Sequence, residues 1–323
     1  MKKIRFGLAG PGIIAHKFAN AIKNVEYAEL VAIASRSIDR AREFADKYGV
    51  PQAYGSYEEM ALSNDIDVVY VCTAHPFHSD CVDTFIRAGK HVLCEKPLTI
   101  NASDANYLET LAKECGVFLM EAMWTKFLPA INEAVKIAKS GEVGEIMGIE
   151  ADFCYRSTPE EEAKLFDVSL AGGSLLDVGI YGLHFASLFF GNDPQEIKAV
   201  AHIEGGVDLH TIVNLQYKEG AIASISSAIA LQKPETAFVY GTDGYIRIPT
   251  FYGAKELFVC KNGEEKHIAL APIGDGFEEE IIEVCECIVQ GKTESDTHPL
   301  SDTIAIIKQM DKIRDMIGVK YPF

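Results

Sequence analysis

Ile4-Arg-Phe-Gly-Leu-Ala-Gly-Pro-Gly-Ile-Ile-Ala15 decides the fold of the amino-terminal part of this chain. An apolar strand runs straight into glycines, and a helical pattern follows from Ile13 to Ile22. Gly7, Gly10, Gly12 and Ala15 follow the dinucleotide fingerprint, with alanine in the last slot. One glycine allows the tight turn, the next lets the backbone approach a pyrophosphate, and the small residue lets helix and strand pack closely. The helix start, with Ile13 and Ile14, then offers free N–H groups and a dipole that favour anions. The bland alternative is an ordinary βα turn. Against it stand the intact strand–glycine–helix context and a second apolar strand, Glu29-Leu-Val-Ala-Ile-Ala34, at the expected distance.

That second strand ends in Ser35-Arg36-Ser37, with Arg40 one turn further on. A NAD-selective site places an acid there for the ribose 2′-hydroxyl. An arginine fork suits a phosphate, so NADP is expected over NAD, unless Arg36 and Arg40 are only solvated charges at a helix start.

Strands and helices alternate over the first 120 residues, with strands near 4–9, 29–34, 67–72, 91–94 and 117–120. This predicts a parallel sheet with right-handed crossovers. Asn101 reads as an N-cap, with Asp104 in the first turn of a helix running to about Cys115. After a helical stretch from Pro129 to about Lys139 the chain becomes strand-rich. Candidates are 146–155, 197–203, 211–217, 221–229, 236–240, 244–248 and 256–260. Lys218-Glu-Gly220, Thr242-Asp-Gly244 and Lys261-Asn-Gly263 are turn signals between them. Helical patterns return at 277–290 and 301–317. The expected architecture is an α/β Rossmann dinucleotide-binding domain, residues 1–122, and an α+β domain, residues 123–323. The second carries a large, mostly antiparallel open sheet with one face covered by helices. At 323 residues the chain is long for one core, which agrees with two domains.

The charge balance, 30 − 47 = −17, makes nucleic acid a poor partner. Eight cysteines form no C-x-x-C unit and read as buried thiols of a reducing compartment, and no metal site is expected. The chain opens on a strand, and no apolar run reaches bilayer-spanning length. A soluble, cytoplasmic protein without a membrane partner is therefore expected.

Two further segments carry chemistry. Cys94-Glu-Lys-Pro-Leu98 places Lys96 before a proline at the end of an apolar strand. Gly172 to His184 spaces Asp177, Tyr181 and His184 so that, on an α-helix, all three project from nearly one side. Oxidising a secondary alcohol needs a base for the hydroxyl proton and an acceptor for the hydride. Tyr181 is the candidate proton carrier; a tyrosine pKa near ~10 is too high for that task unless a nearby ammonium lowers it. Lys96 is the candidate ammonium, and Asp177 orients it or binds a second hydroxyl. Read alone, Tyr181 is as well a core tyrosine and Lys96 a surface charge. His184 reads equally as a partner of Tyr181 or as a satisfied core histidine.

Around these residues the chain resembles the glucose–fructose oxidoreductase/inositol dehydrogenase/MocA family of NAD(P)-dependent oxidoreductases, over nearly its whole length. The resemblance rests on the glycine loop 7–15, Thr73-Ala-His-Pro-Phe-His78, Gly89-Lys-His-Val-Leu-Cys-Glu-Lys-Pro97 and Gly172 to His184. Within the family it looks most like the dimeric dihydrodiol dehydrogenases, also described as NADP-dependent D-xylose dehydrogenases. Met120-Glu-Ala-Met-Trp-Thr-Lys-Phe-Leu-Pro129 and Ile317-Gly-Val-Lys-Tyr-Pro322 carry that part of the likeness. Many family members have histidine where this chain has Tyr181, as the subgroup does.

The resemblance implies Lys96, Tyr181 and Asp177 as catalytic residues converging near the nicotinamide. It implies Thr73, Glu95 and Lys96 beside the cofactor, and Trp124, Phe153 and Phe277 as aromatic walls of the substrate pocket. His75 and His78 follow the third strand, where a dinucleotide-binding sheet exposes its carboxyl ends to ligand, and read as shaping the nicotinamide-ribose site or as incidental histidines of a helix N-cap region. The resemblance also implies a cis Lys96–Pro97 bond, a small sugar, polyol or trans-dihydrodiol substrate, and a homodimer through the open sheet. Three rival readings share the fold: a reductase of an anhydro-sugar or ketose, a non-catalytic NADP sensor, and a glycosidase using bound NAD. Retention of Lys96 and Tyr181 argues against the sensor. Arg36 and the missing metal ligands argue against the glycosidase.

Overall fold

The computed structural model describes residues 3–323, and all counts are of those residues. The chain divides into two compact units, Met1–Trp124 with Ile273–Ile304, and Thr125–Pro272 with Ala305–Phe323. Both units are discontinuous in sequence, which differs from the single boundary at 122/123 read from pattern alone. The chain between 273 and 304 belongs with the first unit because its helix packs on the helix after the glycine loop.

The elements of the first stretch are β1 (Ile4–Ala9), α1 (Ile13–Ala21), β2 (Ala28–Ala34), α2 (Ile38–Tyr48), β3 (Gln52–Tyr54) and α3 (Tyr57–Ala61). They continue as β4 (Val68–Val71), α4 (His78–Arg87), β5 (His91–Glu95), α5 (Ala102–Cys115) and β6 (Leu119–Ala122). Every neighbouring strand pair is parallel, in the order β3-β2-β1-β4-β5-β6. The order reverses between β1 and β4, and in such sheets ligands bind outside the carboxyl ends of the strands at that reversal. The interior strand β4 is buried along its whole length, as a strand covered on both faces requires. Local chemistry sets the helix ends. The Ser37 and Asn101 side chains accept from Arg40 N and Asp104 N to start α2 and α5, and Gly49 and Gly116 end them with φ of 72° and 65°.

The second stretch holds α6 (Pro129–Ser140), β7 (Ile146–Cys154), α7 (Pro159–Leu165), α8 (Ile180–Phe190), β8 (Glu196–Glu204), β9 (Val207–Gln216) and β10 (Ile222–Ala228). There follow β11 (Ala237–Gly241), β12 (Gly244–Ile248), β13 (Glu256–Lys261), β14 (Glu264–Ala269), α9 (Phe277–Val289) and α10 (Leu300–Ile317). Among the described residues β7–β14 form one eight-stranded sheet, in the order β14-β13-β12-β11-β7-β10-β9-β8. Only β7 and β10 pair in parallel, so the mostly antiparallel sheet expected from the turn signals is what forms.

Three expectations are corrected. Gly7 is a residue of β1 and not of the cofactor loop: a Cβ there would meet the Ile66 and Met60 side chains at 3.2 Å, so its smallness serves packing beneath the sheet. One stretch, Val168–Phe190, is long and apolar enough by length and composition to cross a membrane, against the reading that none is, but 72% of its window is buried inside the protein, as a core helix is. The segment bearing Asp177 is not α-helical. Leu175–Gly179 is a π-helical turn that passes into α8, so Asp177 and Tyr181 do not keep the i, i+4 relation their spacing suggested.

Candidate active site

The loop after β1 has the form a dinucleotide needs. Gly10 has φ +103°, and a Cβ on it would lie 3.1 Å from the Cys72 carbonyl oxygen, so only glycine sits there without strain. Gly12 is the N-cap of α1 and leaves more room, its nearest neighbour being the same oxygen at 3.8 Å. No side chain caps α1 and no acid occupies its first turn, so its N–H groups remain available to an anion beside Ile13 and Ile14. Across the strand reversal the Thr73 Oγ1 is buried without a hydrogen-bond partner among the described residues. The residues present fit a pyrophosphate held at the helix start, with Thr73 as a further polar contact.

At the end of β2, Ser35 is buried and its Oγ accepts from Ser37 N at 3.3 Å. Arg36 and Arg40 are exposed and make no ion pair among the described residues. The Arg36 guanidinium lies 5.1 Å from the centre of the Phe77 ring. No carboxylate therefore competes for these two arginines. Tyr57 stands near both; burial pushes its phenol up to about 12, with the arginines opposing. It remains a neutral donor beside them.

Lys96 is half-buried at the end of β5, and the Lys96–Pro97 bond is cis, as the resemblance implied. Glu95 is buried; its carboxylate accepts from Lys96 N at 3.2 Å and from the Tyr70 hydroxyl. Burial raises its pKa, opposed by Lys96. Its hydrogen bonds therefore go to the protein framework. His75 is half-buried in the loop after β4. His78 is fully buried, with Nδ1 2.8 Å from the Pro97 carbonyl oxygen and Nε2 3.1 Å from that of Thr73. Burial lowers its pKa, and a neutral ring has one N–H to give, so one carbonyl receives it. Its contacts tie the loop after β4 to the loop after β5. Trp124 and Phe277 stack in the same unit, with ring centres 5.0 Å apart and planes at 24°.

In the second unit the structure brings Phe153, Asp177 and Tyr181 together with two residues the sequence reading missed. Phe153 and Tyr252 stack nearly parallel at 3.8 Å, and Tyr181 presents itself edge-on to both, at 5.3 and 6.1 Å. The Tyr155 hydroxyl donates to Asp177 Oδ2 at 2.9 Å. Burial, reinforced by that carboxylate, holds the Tyr155 phenol protonated far above its usual range. Tyr155 follows Phe153 by two residues, and strand period alone could have found it. Tyr252 comes from a turn between β12 and β13 and has no such signal. His184 is buried within α8.

The turn bearing Asp177 is fixed from behind. Asp208 Oδ2 accepts from the Ser174 hydroxyl at 2.7 Å, Leu175 N at 2.8 Å and the Thr211 hydroxyl at 2.7 Å. Burial nonetheless raises its pKa against these three donors. Glycines bring the helix onto the sheet: a Cβ on Gly179 would lie 3.0 Å from Ser227 Oγ, and one on Gly182 would lie 2.4 Å from Ile225 Cγ2.

Comparison with known proteins identifies the family and the fold. Residues 4–123 match the family profile described as "Oxidoreductase family, NAD-binding Rossmann fold", and residues 131–247 match the "GFO/IDH/MocA C-terminal domain". The chain is 37% identical to trans-1,2-dihydrobenzene-1,2-diol dehydrogenase of Mus musculus over 331 aligned residues, covering 99% of this chain and 98% of that one. It is 35% identical to the Homo sapiens protein of the same name, with coverage of 99% and 98%. A solved structure of a 3-ketoreductase from Actinomadura kijaniata, in complex with NADP and TDP-benzene, superposes with a TM-score of 0.89 at 26% identity, covering 98% of each chain. An aldose-aldose oxidoreductase from Caulobacter crescentus has the same fold, with a TM-score of 0.90 at 24% identity and 98% coverage of each chain.

Proposed function

The chain belongs to the Gfo/Idh/MocA family and is an NAD(P)-dependent oxidoreductase acting on CH–OH groups, and from that premise we propose that it uses NADP(H) on a trans-dihydrodiol or small sugar. The observation that carries this reading is the cluster around Asp177. A flat aromatic wall, Phe153 on Tyr252, stands beside a carboxylate held by Tyr155 and beside the Tyr181 phenol. Aromatic faces suit an unsaturated ring or the apolar face of a sugar, and the carboxylate suits a neighbouring hydroxyl. The preference for NADP is supported by Arg36 and Arg40, which have no carboxylate partner among the described residues. The dihydrodiol dehydrogenase names of the full-length relatives support the substrate class.

In this reading Tyr181 carries the proton of the substrate hydroxyl, and Lys96 donates to the same oxygen and favours the phenolate. Asp177, oriented by Tyr155, accepts from a second hydroxyl of the substrate. The bound nicotinamide supplies the hydride acceptor or donor. Gly10, Gly12 and the start of α1 hold the pyrophosphate, and Arg36 and Arg40 hold the 2′-phosphate. The exposed apolar residues Val200, Ile203 and Ile222 on strands of the second sheet support a homodimer through that sheet. Eight free cysteines, seven of them buried, support a reducing, cytoplasmic setting.

NADPH absorbance is to be followed with trans-1,2-dihydrobenzene-1,2-diol, D-xylose and a panel of ketoses, for the wild type, Tyr181→Phe and Lys96→Met. Turnover on a diol or aldose, lost by ~10²–10⁴-fold in both variants with NADPH binding intact, is expected. NADPH binding without turnover on any member of the panel would favour the sensor reading, and an active Tyr181→Phe would remove Tyr181 from its role.

A further inference from the structure

Glu121 is fully buried on β6 among apolar neighbours, Leu119, Met120 and Ala122. A carboxylate in such surroundings is costly unless its oxygens are occupied. They are, and by one particular set of groups. Oε1 accepts from the backbone N–H of Leu98 at 2.9 Å. Oε2 accepts from the Thr303 hydroxyl at 3.1 Å and lies 3.2 Å from His298 Nε2. His298 is buried as completely, and its loop is built to hold it: Ser295 Oγ accepts from the N–H groups of Thr297 and His298 at 3.0 Å each. Leu119 N donates to Thr293 O at 3.1 Å and fastens the same loop to β6.

The receiving end of this arrangement is the turn that carries Lys96. Cys94 pairs with Glu121 across the β5–β6 ladder, so the acid stands beside the end of β5, and its oxygen takes the N–H two residues beyond the lysine. His78 contacts the carbonyl of Pro97, between them. Leu98 is itself buried, so its N–H has no water to turn to if Glu121 is withdrawn.

We propose that Glu121, set by His298 and Thr303, is a positioning residue that fixes the Pro97–Leu98 backbone and so holds the Lys96 ammonium in one place. The proposal rests on the role given to Lys96 above. A displacement of about 1 Å at a reacting group can cost ~10²-fold in rate, whereas cofactor affinity depends on contacts spread over the whole dinucleotide.

Two variants separate positioning from mere support. Glu121→Met removes the acceptor at similar volume. Glu121→Gln keeps an oxygen for Leu98 N and turns an amide N–H toward Thr303 Oγ1 and His298 Nε2, both of which can accept. With the diol or aldose that the wild type turns over, Glu121→Met is expected to lower kcat by roughly 10–100-fold while the NADPH dissociation constant stays within about two-fold. Glu121→Gln is expected to return kcat to within about three-fold of the wild type. A Glu121→Met enzyme with wild-type kcat, or a Glu121→Gln enzyme as slow as Glu121→Met, overturns the proposal. If Glu121→Met fails to fold, His298→Leu and His298→Gln replace it: glutamine can still donate to Glu121 and should restore the rate that leucine loses, and equal rates overturn the idea. Lys96→Met measured alongside tells the two failures apart. An active Lys96→Met removes the lysine's role itself; an inactive one beside a fully active Glu121→Met removes only the positioning.

Discussion

Replacing Gly182 with alanine tests whether Tyr181 is aimed by the closeness of its helix to the sheet. A Cβ at position 182 would lie 2.4 Å from Ile225 Cγ2, where ordinary contact begins at 3.4 Å, so something must give by 3.4 − 2.4 = 1.0 Å. Ile225 is 2% exposed and β-branched, which leaves it nowhere to turn, so the helix should yield. Overpacking of this kind costs ~1–3 kcal/mol, while alanine for glycine within a helix returns about 1 kcal/mol. The net loss is about 0–2 kcal/mol, a fall in Tm of several degrees at most. Catalysis should suffer more, because a ~1 Å shift of the residue beside Tyr181 can cost ~10²-fold in kcat. Thermal melts, NADPH titration and steady-state kinetics on the identified substrate are the assay. Ile225→Ala removes the two nearest atoms, Cγ2 and Cγ1, and leaves Cβ at an ordinary 3.5 Å, so the double variant should recover much of the lost rate, and its stability loss should be smaller than the sum of the single losses. A Gly182→Ala enzyme with wild-type Tm and kcat, or strict additivity in the double variant, would refute this account.

Arg36→Ala should weaken NADPH by ~10–10²-fold and NADH little, since a charge-assisted contact to phosphate contributes ~1.5–3 kcal/mol; equal wild-type affinities for the two cofactors in a fluorescence titration would contradict it. Tyr155→Phe keeps the ring but removes the donor to Asp177 Oδ2, and should lower kcat/KM on a diol by about ten-fold with Tm almost unchanged; an unaltered kcat/KM would count against Asp177 as a substrate contact. Glu280 is fully buried, neither carboxylate oxygen has a partner among the described residues, and burial holds its pKa well above the usual range. The folded protein then keeps a proton that the unfolded chain gives up above about pH 4.5, so this group weakens stability as pH rises through the interval between the unfolded and folded values. Glu280→Gln cannot ionise, so its Tm should exceed that of the wild type at neutral pH, with the gap closing toward about pH 4–5; a pH-independent difference would show that Glu280 is not held neutral.

Local pattern settled a large part of this protein. The strand–glycine–helix run from Ile4 is readable because β1, the positive φ of Gly10 and the start of α1 depend on neighbours in sequence. The Asn101 cap and the hairpin turns at Asn262-Gly263 and Asp243-Gly244 are legible for the same reason. Apolar runs in the first sheet and turn signals in the second likewise located most strands. What depends on distant chain was not legible. β3 has three residues and no alternation, and exists because β2 offers it a parallel edge. β14 is mostly exposed and polar, and joins the sheet as an edge strand by pairing with β13. The i, i+4 spacing of Asp177 and Tyr181 presupposed an α-helix; the π-turn there begins where buried Asp208 takes the Leu175 N–H and the Ser174 hydroxyl, an anchor more than thirty residues away. The return of α9 to the first unit, the two unpartnered oxygens of Glu280 and the grip of Glu121 on Leu98 are further instances. Sequence fixes which backbone conformations and which faces are available, because those are set by side-chain size and hydrogen-bonding capacity within a few residues. Which buried acid meets which N–H is decided only when strands remote in sequence come into register, because the cost of burying a charge is met by whatever donor the tertiary fold brings beside it.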